Sequence, residues 1–201
     1  MTLGGVVVAA GRGERFGKPK ALVEVGGVPM WQRGVALLES AGAVRVVVVG
    51  EVPGGIPGGE RRRDSVSVGV AALGSTCDMV LVHDAARPLA DAALARRVAG
   101  RLLRGDVDAV VPVIPVRDTL KRIAGEEVVE TVDRSALVAV QTPQGFRISA
   151  LTAAQADDRD DASDDAVLIE RHGGMVVTVA GDPANLKVTF PEDLAIVEAV
   201  R

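Results

Sequence analysis

The stretch VVVAAGRGERFGKPK, Val6 to Lys20, sets small residues directly after an apolar run and follows them with Arg12, Arg15, Lys18 and Lys20. A strand that ends in a loop of small residues exposes backbone N–H groups, and nearby cations add the charge needed to hold an anion. Two phosphate-binding patterns do not fit. A dinucleotide fingerprint needs a third glycine where Phe16 stands. A P-loop needs four residues between its glycines and then Lys followed by Ser or Thr, whereas three separate Gly13 from Gly17, and Pro19 follows Lys18. What remains is an anion cradle suited to a triphosphate; a tight strand-to-helix turn with solvated charges stays open beside it.

Asp84 closes the apolar run MVLVHD. A carboxylate there can hold Mg²⁺ together with triphosphate oxygens, because that ion takes one or two carboxylates plus substrate phosphates. Capping the next helix is the alternative use. Arg87 offers a planar fork to a phosphate or to substrate hydroxyls, or else a surface ion pair. His83, directly before Asp84, is read as a packing residue rather than a general base. Arg61 to Arg63 could form a solvated face, and the acidic run DDRDDASDD (157 to 165) reads as a solvated loop rather than a metal site.

These residues need a scaffold, and the apolar pattern describes one. The runs LGGVVVAA (3 to 10), VRVVVVG (44 to 50), MVLVHD (79 to 84), AVVPVIPV (109 to 116) and MVVTVAG (175 to 181) are short and valine-rich, as in strands covered on both faces. Segments with helical spacing lie between them, including PMWQRGVALLESAG, RDSVSVGVAALG, DAALARRVAGRLLRG, DDAVLIERHGG and PEDLAIVEAVR. Asp64 and Asp91 are expected as N-caps, Gly42, Gly74, Gly105 and Gly173 as helix ends, and Pro191 in a first turn. The alternation predicts a single-domain α/β protein over 1–201. Its Rossmann-like sheet is mostly parallel with helices on both faces, and its ligands sit beyond the carboxyl ends of the strands. Residues 117–134 depart from the alternation: two β-prone arms around AGEE predict a projecting hairpin.

Composition excludes other classes. The 201 residues are 48% hydrophobic, enough for a sizeable core, with no apolar run near the ~20 residues that span a bilayer. The opening MTLGG lacks the basic-then-apolar pattern of a secretory leader, so a cytoplasmic protein is expected. A net charge of -4 argues against a nucleic-acid or acidic-membrane partner, and 2% aromatics leave no platform for stacking bases. Cys77 is the only cysteine, which rules out an intrachain disulfide and a cysteine-rich metal site.

Seven segments, AAGRGERFGKPKAL, GGERRRDSV, VHDAARPL, PVRDTLKR, TVDRSAL, QTPQGF and NLKVTFPEDL, occur in the order found in methylerythritol phosphate cytidylyltransferases, the IspD family of isoprenoid precursor synthesis. The chain resembles that family nearly end to end. The resemblance implies CTP and a sugar-alcohol phosphate as substrates, Mg²⁺ or another divalent cation such as Mn²⁺ as cofactor at Asp84, and a homodimer joined through the 117–134 arm. It further implies that Ala9, Ala10, Gly11 and Gly13 cradle the triphosphate while Arg15 and Lys20 stabilise the α-phosphate and the leaving pyrophosphate. Gly59 and Ser65 would surround the cytosine. Asp84, Ala85, Arg87, Ser163 and Lys187, with Thr119 and Arg134 from the arm, would hold the second substrate, and Arg134 and Lys187 would join Arg15 and Lys20 in catalysis. Two departures stand out: Glu60 where the family commonly has Asp, and Ala184 in place of an acid, with Asp182 as the substitute to examine. The loop before Gly59 is also shorter than usual. A ribitol phosphate cytidylyltransferase shares the same motifs, and a catalytically silent nucleotide-binding homologue is the remaining alternative.

Overall fold

The structure, a computed structural model, describes residues 1–11, 16, 20–157 and 164–201. The valine-rich runs form β1 (Leu3–Val8), β4 (Arg45–Val49), β5 (Met79–Asp84), β6 (Ala109–Pro115) and β11 (Val176–Ala180). Helical spacing yields α1 (Met30–Ser40), α2 (Arg62–Leu73), α3 (Ala92–Leu103), α5 (Asp165–Arg171) and α6 (Asp193–Val200). Three further strands and one helix lack such patterns: a two-residue pair, β2 (Glu24–Val25) and β3 (Val28–Pro29), then β10 (Gln144–Arg147) and α4 (Ile148–Asp157). β9 (Val138–Val140) adds three residues beside β6.

The main sheet runs β11-β6-β10-β5-β1-β4, with β9 on β6. β1 is parallel to β4 and β5, and β11 is parallel to β6, while β10 enters antiparallel to both neighbours. Alternate residues of the central strands feed opposite faces. Val6, Val80 and Val82 pack with α2, α4 and α5 through Val70, Leu151 and Leu168. Val7 and Leu81 pack with α1 and α3 through Leu38 and Leu102. Each of these buried side chains contributes about 1.5–3 kcal/mol relative to exposure. This explains why runs without period-2 alternation are central strands.

Helix ends follow the expected chemistry with two corrections. Pro191 lies ahead of α6 rather than in its first turn, since Glu192 is the N-cap and Asp193 the first helical residue. Asp91 caps α3 by accepting the Leu94 N–H at 2.7 Å. Asp64 is not an N-cap: α2 starts earlier, Arg61 takes that place, and Asp64 reaches back to the Arg61 N–H at 3.0 Å from three residues into the helix. Gly42, Gly74, Gly105 and Gly173 all take positive φ after helices, a conformation with no Cβ penalty for glycine. The projecting hairpin consists of β7 (Leu120–Ala124) and β8 (Glu127–Val132), turning at Gly125 with φ 60. It forms its own two-stranded sheet. No helix of the described residues is long and apolar enough to cross a membrane.

Candidate active site

Register builds the site. Val8, the last residue of β1, pairs with Asp84, the last of β5, so the loop after β1 leaves the sheet next to the Asp84 carboxylate. The Ala85 N–H donates to the Val8 carbonyl and the Ala9 N–H to that of Val49, which holds the backbone of Ala9 and Ala85 at the strand ends. A cavity of about 530 Å³ opens there, lined by Ala9, Ala10, Gly11 and Ala85 and by Gly59 and Ser65 at the start of α2. Its charged lining, among the described residues, is Lys20, Arg61, Arg62 and Lys187 against Glu60 and Asp84. Cations thus outnumber carboxylates where the sheet presents ligands, an arrangement that favours a polyanion.

Lys20 sits in a short 3-10 turn (Lys20–Leu22) with its ammonium 5.2 Å from the centre of the Phe16 ring. It donates to the Val188 carbonyl at 2.9 Å and the Thr189 carbonyl at 3.4 Å. Lys20 is thereby tied to the segment that carries Lys187. Gly59 lies so close to α2 that a Cβ there would come within 2.3 Å of Asp64 Cβ. Its N–H donates to Ser65 Oγ at 3.1 Å, and that hydroxyl donates to the Arg61 carbonyl at 3.3 Å. Ser65 therefore shapes the loop as well as lining the cavity.

Asp84 is the electrostatic centre. Arg62 Nε and Nη2 each donate to Oδ1 at 3.1 Å, and Lys187 Nζ donates to Oδ2 at 2.9 Å. Burial works to raise this carboxyl, but Arg62 and then Lys187 outweigh it and hold it well below the ordinary carboxylate range. Asp84 is anionic at any working pH. Arg62 also donates from Nη1 to Asp165 Oδ2 at 2.5 Å. Burial raises the Asp165 carboxyl above its ordinary value, with Arg62 opposing. Behind Asp84 runs a buried polar chain. The Asp84 N–H donates to Thr142 Oγ1 at 3.1 Å, which leaves that hydroxyl to donate to His83 Nδ1 at 3.2 Å, and His83 Nε2 faces the Arg87 carbonyl at 3.2 Å. His83 is held as the neutral Nε2–H tautomer, and burial depresses its pKa to about 4. It is a buried packing residue, as expected.

Other expected residues are placed differently. The Arg87 fork is occupied by two backbone carbonyls, of Asn185 at 2.8 Å and Val140 at 3.2 Å, and Arg87 does not line the cavity. Thr119 and Arg134 are exposed at the base of the hairpin, and Arg134 donates to the Val116 carbonyl at 3.1 Å. Neither lines the cavity of its own chain. Asp182 Oδ1 accepts the Ala184 N–H at 2.8 Å, and Asp182 does not line the cavity. Gly13, Arg15 and Ser163 lie outside the described residues.

The three consecutive arginines are not a merely solvated face. Arg61 pairs with Asp64, Arg62 bridges Asp84 and Asp165, and Arg63 donates to the Gln155 carbonyl of α4 at 2.7 Å. The Arg62–Asp165 contact escapes sequence reasoning because 103 residues separate the partners and Asp165 stands inside an acidic run.

The chain has counterparts among known proteins. A sequence model of the family described as 2-C-methyl-D-erythritol 4-phosphate cytidylyltransferase, IspD, matches residues 3–201. A 2-C-methyl-D-erythritol 4-phosphate cytidylyltransferase of Saccharopolyspora erythraea is 46% identical over 100% of this chain and 99% of its own length. A bifunctional enzyme IspD/IspF of Solidesulfovibrio magneticus is 43% identical over 97% of this chain, which spans 56% of that relative's length. Among solved structures, the 2-C-methyl-D-erythritol 4-phosphate cytidylyltransferase from Thermus thermophilus superposes with a TM-score of 0.86 at 37% identity, covering 100% of this chain and 98% of that one.

Proposed function

Because the chain belongs to the 2-C-methyl-D-erythritol 4-phosphate cytidylyltransferase family, we propose that it transfers CMP from CTP to 2-C-methyl-D-erythritol 4-phosphate, giving 4-diphosphocytidyl-2-C-methyl-D-erythritol and pyrophosphate. The observation that carries this reading is the cation-rich cavity at the carboxyl ends of β1 and β5, where Lys20, Lys187 and Asp84 converge. In this reaction a phosphate oxygen of the sugar-alcohol substrate bonds to the α-phosphorus of CTP as the bond to the bridging oxygen of pyrophosphate breaks. The nucleophile arrives ionised, so the site's task is alignment and neutralisation of two polyanions. The backbone of Ala10 and Gly11 receives the triphosphate, with the buried Ala9 holding the strand end behind them. Lys20 meets the charge that develops on the α-phosphate and leaving group, and Lys187 serves the incoming phosphate. The 59–65 loop, closed by the Gly59–Ser65 contact, borders the base.

A divalent cation fits the donor set. Asp84 is anionic and lines the cavity, Lys187 uses one lone-pair direction of Oδ2, and one carboxylate with substrate phosphates is a sufficient protein contribution for Mg²⁺. Asp84 would hold it, and when bound it supplies neutralisation of the triphosphate. No cluster of three or more His, Cys, Asp or Glu suited to a metal occurs among the described residues, in keeping with a site completed by substrate.

The 117–134 arm serves a homodimer. Ile123, Val128 and Val129 are all more than half exposed on β7 and β8, and an isolated two-stranded hairpin is marginal in water. A two-fold pair would cover these side chains and carry Thr119 and Arg134 to the neighbouring cavity. Pyrophosphate release tests the reaction: it is expected only with CTP, methylerythritol phosphate and a divalent metal together. Turnover with ribitol phosphate alone would sink the substrate assignment.

A further inference from the structure

Arg62 joins three elements with one planar group: its own helix α2, the end of β5 through Asp84, and the first turn of α5 through Asp165. Asp165 is the costly member. It has no solvent exposure, and its Oδ1 has no hydrogen-bond partner among the described residues, a state that lowers stability for a buried carboxylate. Capping does not account for it, because Asp164 is the N-cap of α5 and accepts the Val167 N–H at 3.1 Å. Its side chain's one hydrogen bond among the described residues comes from the outer nitrogen of Arg62.

That contact has a chemical consequence. Arg62 lines a cavity built for polyphosphate, and guanidinium favours two-pronged contact with phosphate oxygens. Left to itself it would turn to the triphosphate. Asp165 takes Nη1, which leaves Nε and Nη2 aligned on a single oxygen of Asp84. Rotating the Asp84 carboxylate would break both contacts to Oδ1, and Oδ2 is the oxygen offered to Lys187.

We propose that Arg62, anchored by Asp165, is a positioning residue that stays on Asp84 rather than on the phosphates and fixes the carboxylate so that Oδ2 faces the reacting groups. This rests on the reading that Asp84 stands at the centre of nucleotidyl transfer. Asp165 is then the second acid of the site, acting through Arg62.

Asp165→Asn, Arg62→Met, Arg62→Lys and the Asp165→Asn/Arg62→Met double variant are compared with the parent by pyrophosphate-release kinetics, by calorimetric titration with inorganic pyrophosphate alone, and by Tm. Asp165→Asn frees Arg62, so kcat is expected to fall about 10-fold or more while pyrophosphate binds about 3-fold or more tightly. A residue with a purely structural role would lower Tm and leave pyrophosphate affinity unchanged. The double variant should lose no more kcat than Arg62→Met and should show no tightening, because Asp165 acts only through Arg62. Unchanged pyrophosphate affinity in Asp165→Asn, or losses of kcat that multiply in the double variant, would overturn the proposal. If Asp165→Asn does not fold, Arg62→Lys decides: a lysine keeps the charge but cannot bridge both carboxylates, so a kcat within about twofold of the parent overturns the proposal. Absence of turnover by the parent would refute the assigned reaction instead, and the pyrophosphate titration would still decide the role of Asp165.

Discussion

Asp84 Oδ2 and Lys187 Nζ meet at 2.9 Å although 103 residues separate them, and the lysine side chain is 48% exposed where the aspartate is 11%. The ammonium thus stands between a buried anion and an open cavity, ready to share itself with a phosphate. Lys187→Ala is expected to lower kcat by on the order of 10²-fold, as for loss of one transition-state donor. It also leaves a buried carboxylate with one cation fewer, so Tm should fall. Steady-state kinetics with a thermal melt check both; full kcat would take Lys187 out of the mechanism.

Lys20 invites a double measurement. Its place after Pro19 suggests an exposed loop lysine whose removal costs only activity, but two backbone carbonyls accept from it. Lys20→Ala should cost on the order of 10²-fold in kcat and, from the lost contacts, about 1 kcal/mol of stability. Unaltered kcat would exclude it from transition-state stabilisation, and an unaltered urea midpoint would show that the carbonyl contacts contribute nothing.

His83 makes stability depend on pH. Its folded pKa of about 4 lies below the ordinary value of 6.5, because burial disfavours the charged ring and the nearby Arg87 charge adds to this while Asp84 opposes it. As pH falls below 6.5 the unfolded chain takes up a proton that the native chain refuses until about 4, so stability declines across that window. The integrated loss between about pH 7 and about pH 5 is about 2 kcal/mol. Urea unfolding of the metal-free protein and of His83→Gln at both pH values isolates it, since contributions from Asp84 and Asp165 cancel in the comparison. A parent-to-variant difference that does not change with pH would refute the buried neutral ring.

The sequence made legible what depends on neighbours along the chain. The valine-rich strands, the cap at Asp91 and the position of Asp84 at a strand end follow from local pattern. α4 escaped because ISALTAAQAD is rich in small residues without a distinct polar face or a capping signal, and only its packing through Leu151 and Ala154 defines it. β10 escaped because four residues, QGFR, carry no periodicity and are recruited as a strand by β5 and β6. The same logic divides the site. Lys20 and the small residues after β1 are contiguous, whereas the partners of Asp84 come from α2 and from beyond α5, and only tertiary packing brings those charges together.

The arm yields the test of assembly. Thr119 and Arg134 are exposed and do not line the cavity of their own chain, yet family resemblance gives them a role at an active site; a two-fold dimer reconciles the two by sharing each site between chains. Lys20→Ala and Arg134→Ala, each inactive alone, are mixed unfolded and refolded together. If Arg134 acts on the neighbouring chain, each mixed dimer has one site with both defects and one with neither. Half the dimers are mixed under random pairing, and half of their sites are intact, so roughly a quarter of the parent's activity returns. If Arg134 acts within its own chain, every site carries one defect and nothing returns. Lack of recovery, with mixed dimers verified by mass, would refute the shared site, and a monomeric mass for the parent would refute the dimer itself.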